Sequence, residues 1–230
     1  MTPPFFYVDN LEKNSIVLDE GASKHISVLR LQKGMQILLT DGKGKKAIAK
    51  IVDDNRKKSK VEISSIQIEG ERNRKIVIGI SLIKNLSRFE WFLEKATEIG
   101  VSEIIPLICK HTEKQSFKFE RMNAILISAK LQSQQCWLPV LHAPTQFNKA
   151  VMLLFDKKFI AHCNGDNKKS LTSHHINLSP NQLILIGPEG DFTKEEIDLA
   201  LQNSFTPVSL GNTRLRTETA GIVAAAFLCN

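Results

Sequence analysis

The first third of the chain alternates short apolar runs with polar turns, a pattern typical of short β-strands. A strong turn signal, Asp41-Gly42-Lys43-Gly44, separates two of the runs and predicts a hairpin. One stretch, Ala22 to Leu31, has helical spacing, and we expect Ser23 to cap it. We therefore predict a small β-barrel. Its strands are expected at Phe5–Val8, Ser15–Leu18, Met35–Thr40, Ala47–Val52 and Lys60–Ile68.

The pattern of apolar and polar positions changes after the charged segment at residues 69–74, which we interpret as a hinge. Apolar runs now alternate with longer stretches of helical spacing, which indicates an α/β domain with a parallel sheet covered on both faces. The sequence thus predicts two domains, residues 1–70 and residues 74–230. In the second we expect strands at Ile76–Leu82, Ile104–Ile108, Lys158–His162, Leu183–Ile186 and Pro207–Leu210, and helices beginning at Ser87 and spanning Glu120–Trp137, Thr193–Gln202 and Thr217–Leu228.

Two of these helices carry recognisable end signals. Ser87 and Glu90 have the spacing of a capping box, in which two side chains satisfy free amides at a helix start, and Thr193 and Glu196 repeat it. Gly100 follows the first of these helices, where a residue that tolerates positive φ is expected. These signals predict where both helices begin and where one ends.

Composition excludes several classes of protein. The 230 residues are 42% hydrophobic and 24% charged, and no apolar run approaches the roughly 18 residues that a membrane helix needs. The N-terminus lacks the basic and apolar regions of a secretion signal, so we expect a cytoplasmic protein without a membrane span. The four cysteines are widely spaced with no C-x-x-C pair, which favours reduced thiols and no metal site.

Positive charge is concentrated near the N-terminus. The whole chain carries a net charge of +7, but residues 24–60 alone contain eleven Lys and Arg against three Asp. A basic module of this kind suits a phosphate-rich partner such as RNA. The run Arg56-Lys57-Lys58-Ser59-Lys60 is equally compatible with a solvated loop.

A turn with two glycines follows the apolar strand near residue 183. Gly187-Pro188-Glu189-Gly190 brings bare backbone to the carboxyl end of that strand, where ligands bind in open parallel sheets. The alternative is a sharp strand-to-helix connection with no ligand. Neither G-x-G-x-x-G nor G-x-x-x-x-G-K-[ST] occurs in the chain, which disfavours dinucleotide and nucleoside triphosphate ligands.

A second turn, from Leu210 and Gly211 to the start of the last helix, carries Arg214, Arg216 and Glu218. Arg216 and Glu218 are two residues apart, so an ion pair along one helix face is not expected. Capping of the helix by Thr217 is compatible with a binding role. Because both turns follow strands of one parallel sheet, we predict that they form a single site.

Four separated motifs, "HISVLRLQKG", "KATEIGVSEIIPL", "IGPEGDF" and "SLGNTRLRTETA", resemble the ribosomal small-subunit methyltransferase E family of the SPOUT class. The resemblance runs from Phe5 to Leu228. It implies a PUA-like barrel, an α/β domain with a deep trefoil knot, a homodimer, and methylation of N3 of a uridine in 16S rRNA of the small ribosomal subunit. It also implies S-adenosylmethionine as the methyl donor.

The resemblance assigns roles to residues that match the family motifs. Arg216 and Glu218 are the expected catalytic residues, with the arginine stabilising a uracil anion and the glutamate or a water accepting its proton. RNA contacts are expected from Lys24, His25, Arg30, Lys33, Lys84, Arg88 and Arg214. Cofactor contacts are expected from Ile186, Gly187, Pro188, Glu189, Gly190, Leu210, Gly211, Leu215, Arg216, Thr217 and Glu218.

The chain also departs from the family pattern. The family usually has glycine at Asp191, arginine at Gln135, Pro-Arg-Ile at residues 212–214 and Arg-Ser at residues 111–112. The cofactor loops are otherwise intact, and we expect Arg214 to replace one displaced positive charge.

Three other functions remain open at this level. A non-catalytic RNA-binding assembly factor would need only the barrel and its basic strip. A related SPOUT enzyme that methylates tRNA would share the fold. A metal-dependent hydrolase would use Glu189 and Asp191, although two carboxylates without a nearby histidine are a weak magnesium signal.

Overall fold

The computed structural model describes most of the chain. The described residues are 3–70, 73–113, 116–165, 168–174 and 179–229. Glu71 and Arg72, which belong to the predicted hinge, lie outside them. The chain forms two compact units, Met1–Glu71 with Lys130–Leu138, and Arg72–Ala129 with Pro139–Asn230.

The first unit contains one five-stranded sheet and one helix. The strands pair in the order β1-β3-β4-β5-β2, with β1 and β3 parallel and the other neighbours antiparallel. Apolar side chains from the sheet and the helix, including Phe6, Ile26 and Ile51, form its buried core. The elements are β1 Phe5–Tyr7, β2 Ser15–Val17, α1 Glu20–Val28, β3 Gln36–Thr40, β4 Lys45–Asp53 and β5 Lys60–Ile68.

The predicted hairpin joins β3 and β4. Gly42 and Gly44 have φ angles of 72° and 87°, a conformation that glycine adopts without steric cost. The Asp41 carboxylate accepts hydrogen bonds from the backbone N–H groups of Lys43 at 2.8 Å and Lys45 at 3.1 Å. These bonds confirm the turn that the sequence predicted.

The start of α1 differs from the prediction. The N-cap is Asp19, whose carboxylate accepts from the Ala22 N–H at 2.7 Å. Ser23 is instead buried inside the helix, and its hydroxyl accepts from the Ser59 N–H at 2.9 Å. The prediction of Ser23 as the cap is therefore wrong, because aspartate and serine cap equally well and core packing chose the register. The helix ends before Arg30, which has φ of 56°.

The first unit also includes Lys130–Leu138, which are the last three residues of α3 (Phe119–Gln132) and the segment after it. Lys130 is fully buried there, with Nζ 3.2 Å from the Thr40 hydroxyl and 4.9 Å from the centre of the Tyr7 ring. Burial lowers the pKa of Lys130 to about 8. The predicted helix to Trp137 is wrong at its end, because Gln134 takes φ of 56° and the chain turns back.

The second unit contains a sheet whose strand pairs are all parallel, in the order β11-β13-β10-β12-β6-β7-β8, with β9 beside β7. The strands are β6 Lys75–Ser81, β7 Glu103–Ile108, β8 Val140–Leu141, β9 Thr145–Gln146, β10 Lys157–Ala161, β11 Lys169–Ser170, β12 Asn181–Ile186 and β13 Thr206–Ser209. The remaining helices are α2 Leu86–Ile99, α4 Phe147–Ala150, α5 Lys194–Gln202 and α6 Thr217–Cys229, with a 3-10 turn at Leu171–His174. The predicted parallel α/β sheet is confirmed.

Both faces of this sheet are covered. On one face, Leu183 and Leu185 of β12 pack with Phe192 and Ile197 in a buried cluster. On the other, α6 lies so close that a Cβ on Gly221 would stand 2.6 Å from the Phe92 ring and 2.9 Å from Ile80. The small residues of α6 therefore allow close packing on α2 and β6.

The ends of two helices test the predicted capping boxes. Thr193 and Glu196 form the box at α5, as predicted. At α2 the prediction is wrong, because Asn85 is the N-cap and accepts from the Ser87 N–H at 3.0 Å. Glu90 instead pairs with Arg121 at 2.6 Å. Gly100 ends α2 with φ of 100°, as predicted. No helix within the described ranges is long and apolar enough to cross a membrane.

Candidate active site

A cavity of about 740 Å³ opens at the carboxyl ends of three adjacent strands of the second unit. Strands β10, β12 and β13 are neighbours in the sheet and end at Ala161, Ile186 and Ser209. The loops that follow them form three walls, which we call the β10 loop (the described residues 161–165 and 168), the β12 turn (186–191) and the β13 loop (208–217). The volume lies in the range of small-molecule sites.

A hydrogen bond joins two of these walls. The Thr217 hydroxyl, at the start of α6, donates to the Gly187 carbonyl at 3.0 Å. Both residues are buried. The two turns that the sequence singled out therefore lie side by side, because parallel strands bring their carboxyl ends to one edge.

Most of the predicted cofactor contacts line the cavity, but two do not. The lining residues among them are Ile186, Gly187, Pro188, Glu189, Leu210, Gly211, Leu215, Arg216 and Thr217. Gly190 lies against His111, where a Cβ would meet the histidine side chain at 3.3 Å. Glu218 is buried, with 6% of its surface exposed, and is absent from the lining of the cavity.

Two glycines, Gly187 and Gly211, line the cavity. A Cβ on Gly187 would stand 3.1 Å from the Phe192 ring, so the ring beneath the turn disfavours a larger residue there. Gly211 has φ of 152°, a conformation that residues with side chains rarely adopt, and no neighbour lies within 4 Å of the position that its Cβ would take. The β12 turn and the β13 loop thus each bring a residue without a side chain to the cavity.

Three arginines line the cavity. Arg214 and Arg216 are exposed, and no ion pair to either is seen among the described residues. Arg88 is half-buried, with Nε 3.6 Å from Oε1 of Glu218. Since the Glu218 side chain is only 8% exposed, it is placed to orient Arg88 from below.

His162 is the histidine that lines the cavity. Burial lowers the pKa of His162, and the nearby Lys168 ammonium lowers it further. The imidazole is therefore uncharged at neutral pH. The β10 loop was not predicted to be part of the site, although polar residues directly after a predicted strand of the same sheet are a signal for it.

The predicted RNA contacts are divided between the two units. Lys24, His25, Arg30 and Lys33 are exposed on α1 and the turn after it, in the first unit. Lys24 pairs with Glu20 at 2.7 Å, and both side chains are more than half exposed. The others, Lys84, Arg88 and Arg214, lie in the second unit.

The carboxylates of the β12 turn do not converge on a metal-sized space. Glu189 accepts from the Lys84 N–H at 3.2 Å, and Asp191 accepts from the Cys163 N–H at 2.7 Å and the Phe192 N–H at 2.8 Å. No group of three or more His, Cys, Asp and Glu suited to a metal ion occurs within the described ranges. Because Glu189 and Asp191 already accept from N–H donors, they are poorly suited to the metal-dependent hydrolase alternative.

Comparison with known proteins identifies related sequences and folds. A family profile described as an RNA methyltransferase domain matches residues 70–229, and one described as an RNA methyltransferase PUA domain matches residues 18–64. The curated protein Ribosomal RNA small subunit methyltransferase E of Synechocystis sp. is 33% identical over 205 residues, which cover 86% of this chain and 67% of that protein.

Two solved structures resemble the whole chain. A probable rRNA-methyltransferase from Porphyromonas gingivalis is 36% identical with a TM-score of 0.90, covering 96% of this chain and 95% of its own. Ribosomal RNA small subunit methyltransferase E from Neisseria gonorrhoeae, bound to S-adenosyl methionine, is 26% identical with a TM-score of 0.89, covering 97% and 95%. The similarity therefore extends over both units.

Proposed function

The chain belongs to the RNA methyltransferase family, and from that premise we propose that it methylates N3 of a uridine in 16S rRNA with S-adenosylmethionine as the donor. Membership makes it an rRNA methyltransferase, and the choice of atom and donor is the proposal. The observation that carries it is the cavity built by the β10 loop, the β12 turn and the β13 loop. A relative of nearly the same fold is bound to this donor.

The residues present fit the proposed donor. The cavity is large enough for a nucleoside with an amino-acid chain, and Gly187 and Gly211 bring backbone without side chains to its lining. When bound, the donor supplies an electrophilic methyl group.

The protein's part in the reaction is to position the uracil and stabilise the charge that forms on it. Uracil N3 must lose its proton before it attacks, which leaves negative charge on the ring carbonyls. Arg216 and Arg214 are exposed and line the cavity, and we assign the stabilisation of that charge to Arg216, with Arg214 as a second cation. Holding the nucleophile in line with the methyl group supplies much of the remaining acceleration.

Two proton acceptors fit the site, Glu218 and a water molecule. Glu218 is engaged with Arg88 and does not line the cavity, so its direct use requires Arg88 to move. A water in the cavity needs no such movement. We therefore favour a water as the base and assign Glu218 to the orientation of Arg88.

The first unit is proposed to bind the phosphates of the same RNA. The PUA profile covers α1, β3, β4 and the first half of β5, and the exposed cations Lys24, Arg30 and Lys33 lie within residues 24–60, which we call the basic window. Phosphate contacts fix position without reading sequence. The trefoil knot, the homodimer and the cytoplasmic location stay predictions.

Mass spectrometry of 16S rRNA from cells that lack this protein tests the proposal. We expect one N3-methyluridine to disappear and to return when the wild-type gene is restored. Purified protein should also methylate small subunits or 16S rRNA, with tRNA as the comparison substrate. An unchanged modification in the cells contradicts the proposal, and methyl transfer to tRNA alone supports the tRNA alternative. Absence of donor binding by calorimetry supports the assembly-factor alternative.

A further inference from the structure

Asp191 holds the β12 turn in an unusual backbone conformation. Its φ is 63°, in the left-handed region where aspartate is tolerated but glycine is favoured. The Asp191 N–H donates to the Pro188 carbonyl at 2.9 Å, which closes the turn. A left-handed residue other than glycine persists only where surrounding contacts hold it.

The Asp191 carboxylate links two walls of the cavity. One oxygen accepts from the Phe192 N–H at 2.8 Å, a contact within the turn. The other accepts from the backbone N–H of Cys163 in the β10 loop at 2.7 Å, across 28 residues of sequence. Hydrogen bonds to a charged acceptor are roughly twice as strong as neutral ones. The second bond therefore ties the β10 loop to the β12 turn.

His111 supports the same turn from behind. Its Nδ1 lies 3.2 Å from the Gly190 carbonyl oxygen and 3.0 Å from that of Asp191. Because carbonyl oxygens only accept, Nδ1 carries the proton in this arrangement. His111 and Asp191 are both departures from the family pattern, and the structure brings them together on one turn.

Two hydrogen bonds thus link the loops that surround the cavity. Thr217 joins the β13 loop to the β12 turn, and Asp191 joins the β12 turn to the β10 loop. Through these two bonds the β12 turn sets the positions of the β10 loop and the β13 loop. Preorganised walls lower the conformational cost of binding a ligand.

We propose that Asp191 is a positioning residue that fixes the β10 loop against the β12 turn and so holds the cavity at the width its ligand needs. This inference rests on the proposed function for the identity of the ligand, S-adenosylmethionine. Asp191 lines the cavity, and its carboxylate accepts one N–H from the β10 loop and one from Phe192 beside the β12 turn, so we assign it a positioning role.

The test compares Asp191→Gly and Asp191→Asn with Ser204→Gly. Glycine keeps the backbone conformation and removes both bonds of the carboxylate. Asparagine tolerates the left-handed region and retains one acceptor oxygen. Ser204 is exposed after α5 with φ of 65°, so its change to glycine relieves the same backbone conformation away from the cavity.

Two measurements test the hydrogen bond between the Asp191 carboxylate and the Cys163 N–H. Hydrogen exchange of the Cys163 amide, measured by NMR without donor, should accelerate about tenfold in Asp191→Gly. Calorimetry should show an about tenfold higher Kd for S-adenosylmethionine in the same variant, with kcat at saturating donor close to wild type. Asp191→Asn should lie between wild type and Asp191→Gly in both, and Ser204→Gly should change neither.

The outcomes separate this inference from the proposed function. Wild-type Cys163 exchange or a wild-type Kd in Asp191→Gly would overturn the inference. If the wild-type protein itself does not bind S-adenosylmethionine, the proposed function fails, while Cys163 exchange still decides whether the tie exists. If Asp191→Gly does not fold, Asp191→Asn decides, because unchanged exchange and affinity in that variant contradict the inference.

Discussion

Charged side chains at the amino end of the parallel sheet form ion pairs with one another, whereas two arginines at its carboxyl end form none with the described residues. At the amino end, Lys75 Nζ lies 2.5 Å from one oxygen of Glu103, and His142 Nε2 lies 2.7 Å from the other. At the carboxyl end, Arg214 and Arg216 are exposed in the cavity, and the described residues provide neither with an ion pair. The amino end satisfies its charges internally, whereas the carboxyl end leaves cations available to a ligand.

This difference shows why a carboxyl group with a shifted pKa does not by itself mark an active site. Burial raises the pKa of Glu103, but hydrogen bonds from Lys75 and His142 outweigh burial, and the net pKa lies below its usual value. Structural ion pairs perturb pKa values just as catalytic sites do. The cavity and the position of the strand ends, rather than titration, therefore locate the candidate site.

The largest effect is expected for Arg216→Ala at the carboxyl end. Removing a group that stabilises developing negative charge should lower kcat about 100-fold, as the loss of one oxyanion donor does. Thermal stability should not change, because Arg216 is exposed. Steady-state kinetics across pH, with the exposed Lys194→Ala as the control, measure this. A raised KM for RNA with unchanged kcat would show that Arg216 only binds phosphate.

Thr217→Val should weaken donor binding by about tenfold. Valine has nearly the shape of threonine but cannot donate to the Gly187 carbonyl, which is left buried without that partner. An unsatisfied buried acceptor costs about 1–3 kcal/mol, so the free energy of unfolding should fall as well. Calorimetry and denaturant unfolding report both, and Thr219→Val on the same helix is the matched control. Equal Kd values for Thr217→Val and wild type would show that the bond from Thr217 to the Gly187 carbonyl does not contribute to donor binding.

Glu103→Gln should affect stability without affecting the cavity. We expect a loss of about 1 kcal/mol at pH 7, kept small because Lys75 and His142 are nearly half exposed and screened by water. Since the folded pKa is lowered, the stabilisation is present above the unfolded value of about 4.3 and disappears as pH falls through the folded value.

Urea unfolding of the wild type and of Glu103→Gln from pH 7 to pH 3 measures this difference. The two curves should converge at low pH, while the Kd for the donor stays the same. A difference in unfolding free energy that does not depend on pH would contradict the assignment.

The smallest effect is expected for Lys33→Glu, which lies at neither end of the sheet. The side chain is exposed in the basic window, so its reversal should weaken rRNA binding a few-fold and reduce the salt slope by about 1. Donor affinity should not change. Lys13→Glu, exposed in the same unit but outside the window, is the control, and equal RNA affinity for the two variants would argue against the proposed contact.

The sequence predicted regular elements well where one local signal decided them. Every predicted strand lies within two residues of an observed one, and Lys60–Ile68 agrees at both ends. Thr193 caps α5 as expected, because Thr193 and Glu196 complete a capping box while the carboxylate of Asp191, two residues earlier, is bonded to the Cys163 N–H. Ser23 and Ser87 failed as caps, since Asp19 and Asn85 offered equivalent side chains and packing chose between them.

The sequence by itself determined the apolar periods, the glycine turn after β12 and the cations after β13, because these depend on residue type and spacing. Only the tertiary structure decided that residues 130–138 join the first unit, that the β10 loop forms a third wall, and that Asp191 bonds to Cys163. Such contacts join residues far apart in sequence, and their geometry follows from how strands pair and helices pack, which no local pattern encodes.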